Sequence, residues 1–454
     1  ARMNEPIIAL ATPPLKSALA MIRASGEGIL EITDSLFSKP VSHLKTRSLL
    51  YGTLSDQGQA MDEVVLLVYP KPHTMTGEDV VEVCCHGSMV IVNQIVEAYL
   101  SRGVRYATGG EFSARAFYNG KMDLIEAEAV QDLINATTVE SKNVALLSLS
   151  GQTSKSIGPL KEEIGALLGL VEVGIDFPEY DEEEAATNQG IAAGCHAIRE
   201  RISTLLKQGE EGRMIREGVK LALVGKPNVG KSSLLNALLQ KEKAIVSDIP
   251  GTTRDVVEGD LSINGIPVHL MDTAGIRESN DTIEQLGVKR SLSSIEEADL
   301  VLFVHDASTD YDEEERELLK SVENKPHLIV NNKADLLSKK KDGEIEVSAL
   351  HNDIDALRKA IVEKLGIHDS AYHTPSLSSM RELALLRLID SDLKEAEEGA
   401  NNGLSVDLLS VSLQEAYNHV RELFGEDATH DLTDEIFSRF YDGGGKEFKT
   451  ISKN

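Results

Sequence analysis

Only three cysteines occur in 454 residues, Cys84, Cys85 and Cys195, too few for a disulfide framework in a chain of this length. A reducing cytoplasm is the compartment this implies. No apolar stretch approaches the roughly 18 residues of a membrane span, and Ala1-Arg2-Met3-Asn4 lacks the apolar core of a signal peptide. Met3 reads as the native start, with two foreign residues ahead of it. Positive charge is scarce as well. Lys and Arg number 46 against 74 Asp and Glu, a net charge of −28, which argues against a protein that coats nucleic acid non-specifically. Any RNA contact must be a local basic site or belong to a partner. The remainder, 41% hydrophobic and 26% charged, is ordinary for soluble globular domains, and the length predicts about three of them.

The chain is organised around Gly225-Lys226-Pro227-Asn228-Val229-Gly230-Lys231-Ser232, which fits G-x-x-x-x-G-K-[ST]. The apolar run 219–224 predicts a buried strand entering this loop, and 233–239 a helix leaving it. Glycines let backbone N–H groups turn toward phosphate oxygens, and the helix N-terminus adds a positive dipole end. Lys231 would reach the β- and γ-phosphates, and the Ser232 hydroxyl would hold Mg2+. Asn228, Val229, Gly230 and Ser233 complete the expected cradle.

Residues 218 to about 370 alternate strand and helix, the pattern of a mainly parallel sheet with helices on both faces. Further nucleotide signals follow in order at strand ends. Gly251-Thr252-Thr253-Arg254-Asp255, preceded by Ser247, Asp248, Ile249 and Pro250, lies before a strand over 256–263. Asn264-Gly265 turns that strand into a hairpin with 267–271. The hairpin ends at Asp272-Thr273-Ala274-Gly275, where a carboxylate can reach Mg2+ and a glycine can sense the γ-phosphate. Buried strands over 300–305 and 328–331 come next, and the second delivers Asn332-Lys333-Ala334-Asp335. The Asp335 carboxylate can accept both N–H donors of a guanine edge, which adenine cannot supply. Ser348-Ala349-Leu350 follows the last strand. Five such signals in order resemble the translation-factor class of GTPases, so GTP rather than ATP is expected.

In the Ras-like pattern a Gln after D-x-x-G orients the attacking water. Here that position is Ile276, which cannot. Either the domain is a slow switch or another group supplies the function. Glu284, in the segment 276–288 expected to move with nucleotide, is the candidate, although by spacing alone it is no different from a surface carboxylate. Arg254 and Arg277 are candidate charge stabilisers on equally ordinary grounds.

Upstream, 4–119 carries short β-branched runs at 7–11, 18–23, 48–54, 63–69 and 80–84, with helical spacing at 29–37 and 89–102. This predicts an α+β domain with a mostly antiparallel sheet. Cys84, Cys85 and His86 are adjacent on a strand, cannot all face one metal, and read as packing. From Lys121 the pattern turns helical to about 170, then again over 188–208, with the acidic run 181–184 a solvated loop or a helix start. The stretch 209–217 reads as a polar connector and domain boundary. After His373-Thr374-Pro375 helices return over 377–396 and 405–424, separated by a 399–403 breaker, with a last one over 431–440. They would pack on the helices of 121–210, leaving the nucleotide domain inserted in a helical one. The expected domains are thus 1–119, 120–215, 216–373 and 374–454.

Outside the nucleotide domain stand Ala11-Thr12-Pro13-Pro14, Met21-Ile22-Arg23, Gly77-Glu78-Asp79-Val80-Val81-Glu82, Glu111-Phe112-Ser113-Ala114-Arg115-Ala116-Phe117, Asn119-Gly120-Lys121 and Asp123-Leu124-Ile125-Glu126-Ala127-Glu128-Ala129. With these, the chain resembles the MnmE (TrmE) family of tRNA-modification GTPases over residues 4 to about 440. The resemblance implies a multidomain α+β and α/β protein. Its N-terminal domain would be like the tetrahydrofolate-binding glycine-cleavage T-protein, and a Ras-like P-loop GTPase domain would sit within an all-α domain. It implies a homodimer through the N-terminal domain and binding of 5-formyltetrahydrofolate or a related folate, with Arg23, Glu82 and Lys121 matching the folate contacts. Nucleotide domains would meet across the dimer around K+, held by Asn228, Ser247, Ile249 and Thr252. Ser232 and Thr253 match the Mg2+ ligands, with Asp272 acting indirectly, and Glu284 matches the residue that orients water. Lys231 and Glu284 are therefore the expected catalytic residues. With an FAD-containing partner of the MnmG (GidA) type, the family adds an aminomethyl or carboxymethylaminomethyl group to the wobble uridine of tRNA, the partner holding most of the tRNA.

The sequence departs from the family at its end. A Cys-x-Gly-Lys tail is expected after Phe440, but Tyr441-Asp442-Gly443-Gly444-Gly445-Lys446 and eight further residues stand there, which read as the result of a frameshift, a truncation or vector sequence. Leu15-Lys16-Ser17 also replaces a usually glycine-rich turn. The alternative function is a GTP-dependent assembly switch without a part in the modification chemistry. The folate-like N-terminal domain counts against it.

Overall fold

A computed structural model describes residues 5–176, 181–241, 243–244, 260–271, 295–336, 345–426, 428 and 430–440. The chain begins with β1 (Ile7–Leu10), β2 (Leu19–Ser25), α1 (Ile29–Asp34), β3 (Ser48–Asp56), β4 (Gln59–Tyr69), β5 (Val80–His86), α2 (Met89–Leu100), β6 (Arg105–Tyr106), α3 (Glu111–Tyr118) and α4 (Leu124–Asn135). Three helices follow, α5 (Val139–Leu149), α6 (Gln152–Asp176) and α7 (Asp181–Glu217). Next come β7 (Val219–Val224), α8 (Lys231–Lys241), β8 (Lys243–Ala244), β9 (Asp260–Ile263), β10 (Ile266–Met271), β11 (Leu300–Asp306), α9 (Glu313–Val322), β12 (His327–Asn332), β13 (Ile345–Glu346) and α10 (Asp355–Leu365). The described chain ends with α11 (Met380–Asn401), α12 (Val406–Phe424) and α13 (His430–Phe437). It divides into two compact units, residues 1–134 with 421–454, and residues 135–420.

In the first unit a six-stranded sheet runs in the order β3-β4-β5-β2-β1-β6, antiparallel except where β1 meets β6. Strand side chains alternate faces. Ala20, Ile22 and Ala24 of β2 and Val81, Val83 and Cys85 of β5 are buried in a core shared with Ile29 and Leu30 of α1 and Val92, Ile95, Val96 and Tyr99 of α2. The alternate residues Arg23 and Glu82 are cross-strand partners on the opposite face. Cys84 is half-buried on that face, and His86 is exposed and bonded through Nδ1 to Asp62 at 2.8 Å. His86 is therefore not packed, which corrects part of the reading of that triplet. Its three side chains do not share a face, and no metal-binding cluster occurs among the described residues.

The second unit holds a seven-stranded sheet in the order β13-β12-β11-β7-β10-β9-β8, parallel from β13 through β10 and antiparallel at β9 and β8. Leu221 and Leu223 of β7 face a core with Leu234 and Leu238 of α8 and Leu357 and Ile361 of α10. Ala222 and Val224 face a second core with Phe303 and Val322. A strand covered on both faces reads as a near-continuous apolar run, which is why 219–224, broken only by the exposed Lys220, and 300–305 are legible as strands.

The stretch 209–217 is not a connector. It is the last part of α7, which packs along α11. A Cβ on Gly209 would lie 2.2 Å from the Leu377 carbonyl oxygen, and one on Gly212 would lie 2.3 Å from Ser376 Oγ. These glycines admit close backbone approach rather than breaking the helix. The helix ends at Gly218, whose φ of +86° turns the chain directly into β7.

Candidate nucleotide site

The phosphate loop spans the end of β7 and the start of α8, at the carboxyl ends of the parallel strands, where open α/β sheets place their ligands. Asn228 and Gly230 take φ of +64° and +95°, so the loop reverses twice within three residues. Val229 between them is buried in the sheet core and pins the loop. Gly225 lies so close to β11 that a Cβ there would meet the Val304 carbonyl oxygen at 2.3 Å. Lys231 Nζ donates to the carbonyls of Gly225 and Lys226, each at 2.6 Å. Burial lowers its pKa below the usual lysine value, and no carboxylate pairs with it among the described residues. Ser232 and Ser233 are exposed in the first turn of α8. A partly buried ammonium held by main-chain dipoles beside a helix N-terminus suits a phosphate group.

Asn332, at the end of β12, joins this loop to the base-recognition end. Its Nδ2 donates to the Val229 carbonyl at 3.0 Å, and its Oδ1 accepts from the Ala349 N–H at 3.1 Å. Asp335 Oδ1 accepts from Ser348 Oγ at 2.7 Å, and that hydrogen bond holds the Asp335 carboxyl below the usual range. The structure thus brings Val229, Asn332, Asp335, Ser348 and Ala349 together, while Leu350 points into solvent. Ser247, Asp248, Ile249, Pro250, Gly251, Thr252, Thr253, Asp272, Thr273, Ala274, Gly275 and Glu284 lie outside the described residues.

Two acidic groups here went unread in the sequence. Asp306, the last residue of β11, pairs with Lys333 Nζ. Burial raises its pKa, but the hydrogen bonds from Lys333 and Ser308 outweigh this and hold the carboxyl low. Asp312 caps α9 and pairs with Lys226 of the phosphate loop. The D-x-x-E capping box formed by Asp312 and Glu315 was available as a signal.

In the first unit Arg23 Nε donates to Glu82 Oε1 at 2.7 Å, Tyr69 Oη donates to Glu82 Oε2 at 3.1 Å, and the Arg23 guanidinium lies 5.6 Å from the Phe112 ring centre. Lys121 Nζ donates to the Pro72 carbonyl and its side chain lies against Gly77. Arg23 and Glu82 are paired directly, whereas Lys121 is anchored to a separate loop of the same unit.

A doubly covered parallel sheet with this loop at its central strand, and an Asn-Lys-x-Asp end two strands away, defines a P-loop GTPase. A family profile described as GTP-binding protein TrmE N-terminus matches residues 6–121, and one described as MnmE helical domain matches residues 124–440. The chain is 43% identical over 446 residues to the tRNA modification GTPase MnmE of Aquifex aeolicus, covering 96% of this chain and 99% of that one. The Enterococcus faecalis protein of the same name is 40% identical over 455 residues, covering 96% and 97%. The chain is also similar to the crystal structure of Aquifex aeolicus Era bound to GDP·AlF4−, at 29% identity over 38% of this chain and 66% of that one, with a TM-score of 0.26. The chain belongs to the MnmE (TrmE) family of tRNA-modification GTPases. Among the described residues no helix is long and apolar enough to cross a membrane.

Proposed function

We propose that this GTPase is potassium-dependent, is activated when two copies bring their nucleotide domains together, and acts with an FAD-containing MnmG-type partner. Together they add an aminomethyl or carboxymethylaminomethyl group to the wobble uridine of tRNA. The observation that carries the nucleotide chemistry is Lys231, whose ammonium meets two loop carbonyls and no carboxylate among the described residues. Its charge is available for the β- and γ-phosphates, and Asn332 keeps that loop in register with Asp335, which accepts from the guanine edge. Ser232, Thr253 and, indirectly, Asp272 would hold Mg2+, and Asn228, Ser247, Ile249 and Thr252 would hold K+. These cations supply positive charge against the phosphates. Glu284 takes the water-orienting role that Ile276 cannot fill. On the first unit's sheet, Arg23 and Glu82 fit a folate, offering a cation to a carboxylate and a carboxylate to a ring N–H edge, with the Phe112 ring beside them. Lys121 is the third residue assigned to it. The first unit would also carry the homodimer contact.

The test is GTP turnover in KCl against NaCl at equal ionic strength, with Glu284→Ala alongside. Activity that needs K+ and is lost in the variant is the expected result. Equal, slow turnover in both salts, unchanged by the substitution, would overturn the potassium and Glu284 assignments.

A further inference from the structure

At the end of β11, after five fully buried apolar residues, stands His305, 4% exposed, facing the 3% exposed Glu315 of α9. The His305 Nε2 lies 3.0 Å from the Thr309 carbonyl, which can only accept, so Nε2 carries a proton. Nδ1 lies 2.9 Å from Glu315 Oε1, so a second proton sits between ring and carboxyl, whichever of the two it belongs to. The Tyr311 ring stacks on the imidazole at 4.0 Å and 9°. One histidine thereby fixes the loop 306–312 at its middle, at its end and at the helix that follows.

That loop carries the two acidic groups that grip the nucleotide site. Glu315 N donates to Asp312 Oδ1 at 3.0 Å, and the other Asp312 oxygen pairs with Lys226. The Lys226 carbonyl in turn accepts from Lys231 Nζ at 2.6 Å. Asp306, anchored by Ser308, pairs with Lys333. A buried ion pair is weak evidence for stability, since desolvation opposes its attraction. An apolar side chain would fill this position in β11 as well as the five before it.

We propose that His305 and Glu315 are positioning residues for guanine-nucleotide binding, holding the 306–312 loop so that Asp312 and Asp306 restrain Lys226 of the phosphate loop and Lys333 of the guanine end. This rests on reading those two segments as the nucleotide site. The experiment measures dissociation of N-methylanthraniloyl-GDP from the full chain by stopped flow, alongside thermal midpoints. Glu315→Ala is expected to speed dissociation about tenfold. Glu315→Gln is expected to stay near wild type, because its amide can donate to neutral Nδ1 while its oxygen still faces the Asp312 N–H. Asp312→Asn keeps the helix cap and takes from Lys226 the carboxylate that the loop supplies, leaving Glu314 of α9 at 3.3 Å, and should speed dissociation with the midpoint unchanged. Combined with Asp312→Asn, Glu315→Ala should add less than its own factor. Unchanged dissociation in Asp312→Asn, dissociation in Glu315→Ala that stays at wild type while the midpoint falls, or effects that multiply would each overturn the proposal. Should Glu315→Ala not fold, His305→Leu combined with Glu315→Met, which replaces the buried pair by apolar groups, takes its place and is expected to speed dissociation in the same way. Asp335→Ala separates the two claims, since unweakened GDP binding there would overturn the nucleotide-site reading itself.

Discussion

Replacing Gly209 by alanine sets local preference against packing, with opposite signs. Gly209 lies inside α7, where alanine is favoured over glycine by about 1 kcal/mol through helix propensity. A Cβ there would fall 2.2 Å from the Leu377 carbonyl oxygen and 2.6 Å from Leu383 Cδ2. The leucine tip can rotate, but the carbonyl is main chain of a buried residue. Restoring an ordinary contact requires α7 and the segment before α11 to separate by roughly 1 Å, and such overpacking costs about 1–3 kcal/mol. Since the nearest obstacle is backbone, the upper part of that range applies, and the net effect is destabilisation by about 1–2 kcal/mol. Gly169, exposed in α6 with nothing within 4 Å of its would-be Cβ, isolates the propensity term. Gly169→Ala should stabilise by about 0.5–1 kcal/mol. A chain of several domains does not unfold in two states, so the measurement is the order of thermal midpoints by circular dichroism at 222 nm. Gly169→Ala should lie above wild type and Gly209→Ala below it. A Gly209→Ala midpoint as high as that of Gly169→Ala would refute the packing argument.

Asp335→Asn presents one amide donor where two guanine N–H groups need acceptors. It should weaken GTP binding by about 100-fold while improving use of xanthosine triphosphate, read by comparing turnover of the two nucleotides. In the first unit, burial raises the Glu111 pKa, but hydrogen bonds and charge from Arg105, with the Thr108 N–H and Arg115, outweigh it and bring the value down from 4.5 to about 2. A carboxyl depressed by folding stabilises above its unfolded value and loses that contribution as pH falls through the folded one. Wild type should therefore lose up to ~3 kcal/mol between pH 4.5 and 2 that Glu111→Gln does not. Urea midpoints of the two should converge at the acid end, and parallel curves would refute the assignment.

What could be read from the sequence was local. The phosphate loop, the Asn264-Gly265 turn with φ of +51° and +78°, and the apolar strands were legible because their conformations follow from consecutive residues. The helical nature of 209–217 was not, since a polar stretch with two glycines looks like a linker until Leu377 and Ser376 are seen against it. The Asp306 and Asp312 pairs escaped for a similar reason, as each is an ordinary acidic residue until its lysine is placed. Asn332 is legible as part of the Asn332-Lys333-Ala334-Asp335 run, yet the residues it bonds, Val229 and Ala349, lie 103 and 17 positions away.

By itself, then, the sequence determined the chemistry available at the nucleotide site, because glycine positions and the lysine and serine that follow them dictate backbone torsions and donors within one turn. Tertiary structure alone decided how that site is held. The sheet order β12-β11-β7 sets strands from distant parts of the chain side by side, and only that adjacency lets Asn332, Asp306 and Asp312 reach the loops they restrain. A hydrogen bond needs its partners within about 3 Å, and no spacing along the chain encodes which distant residue that will be.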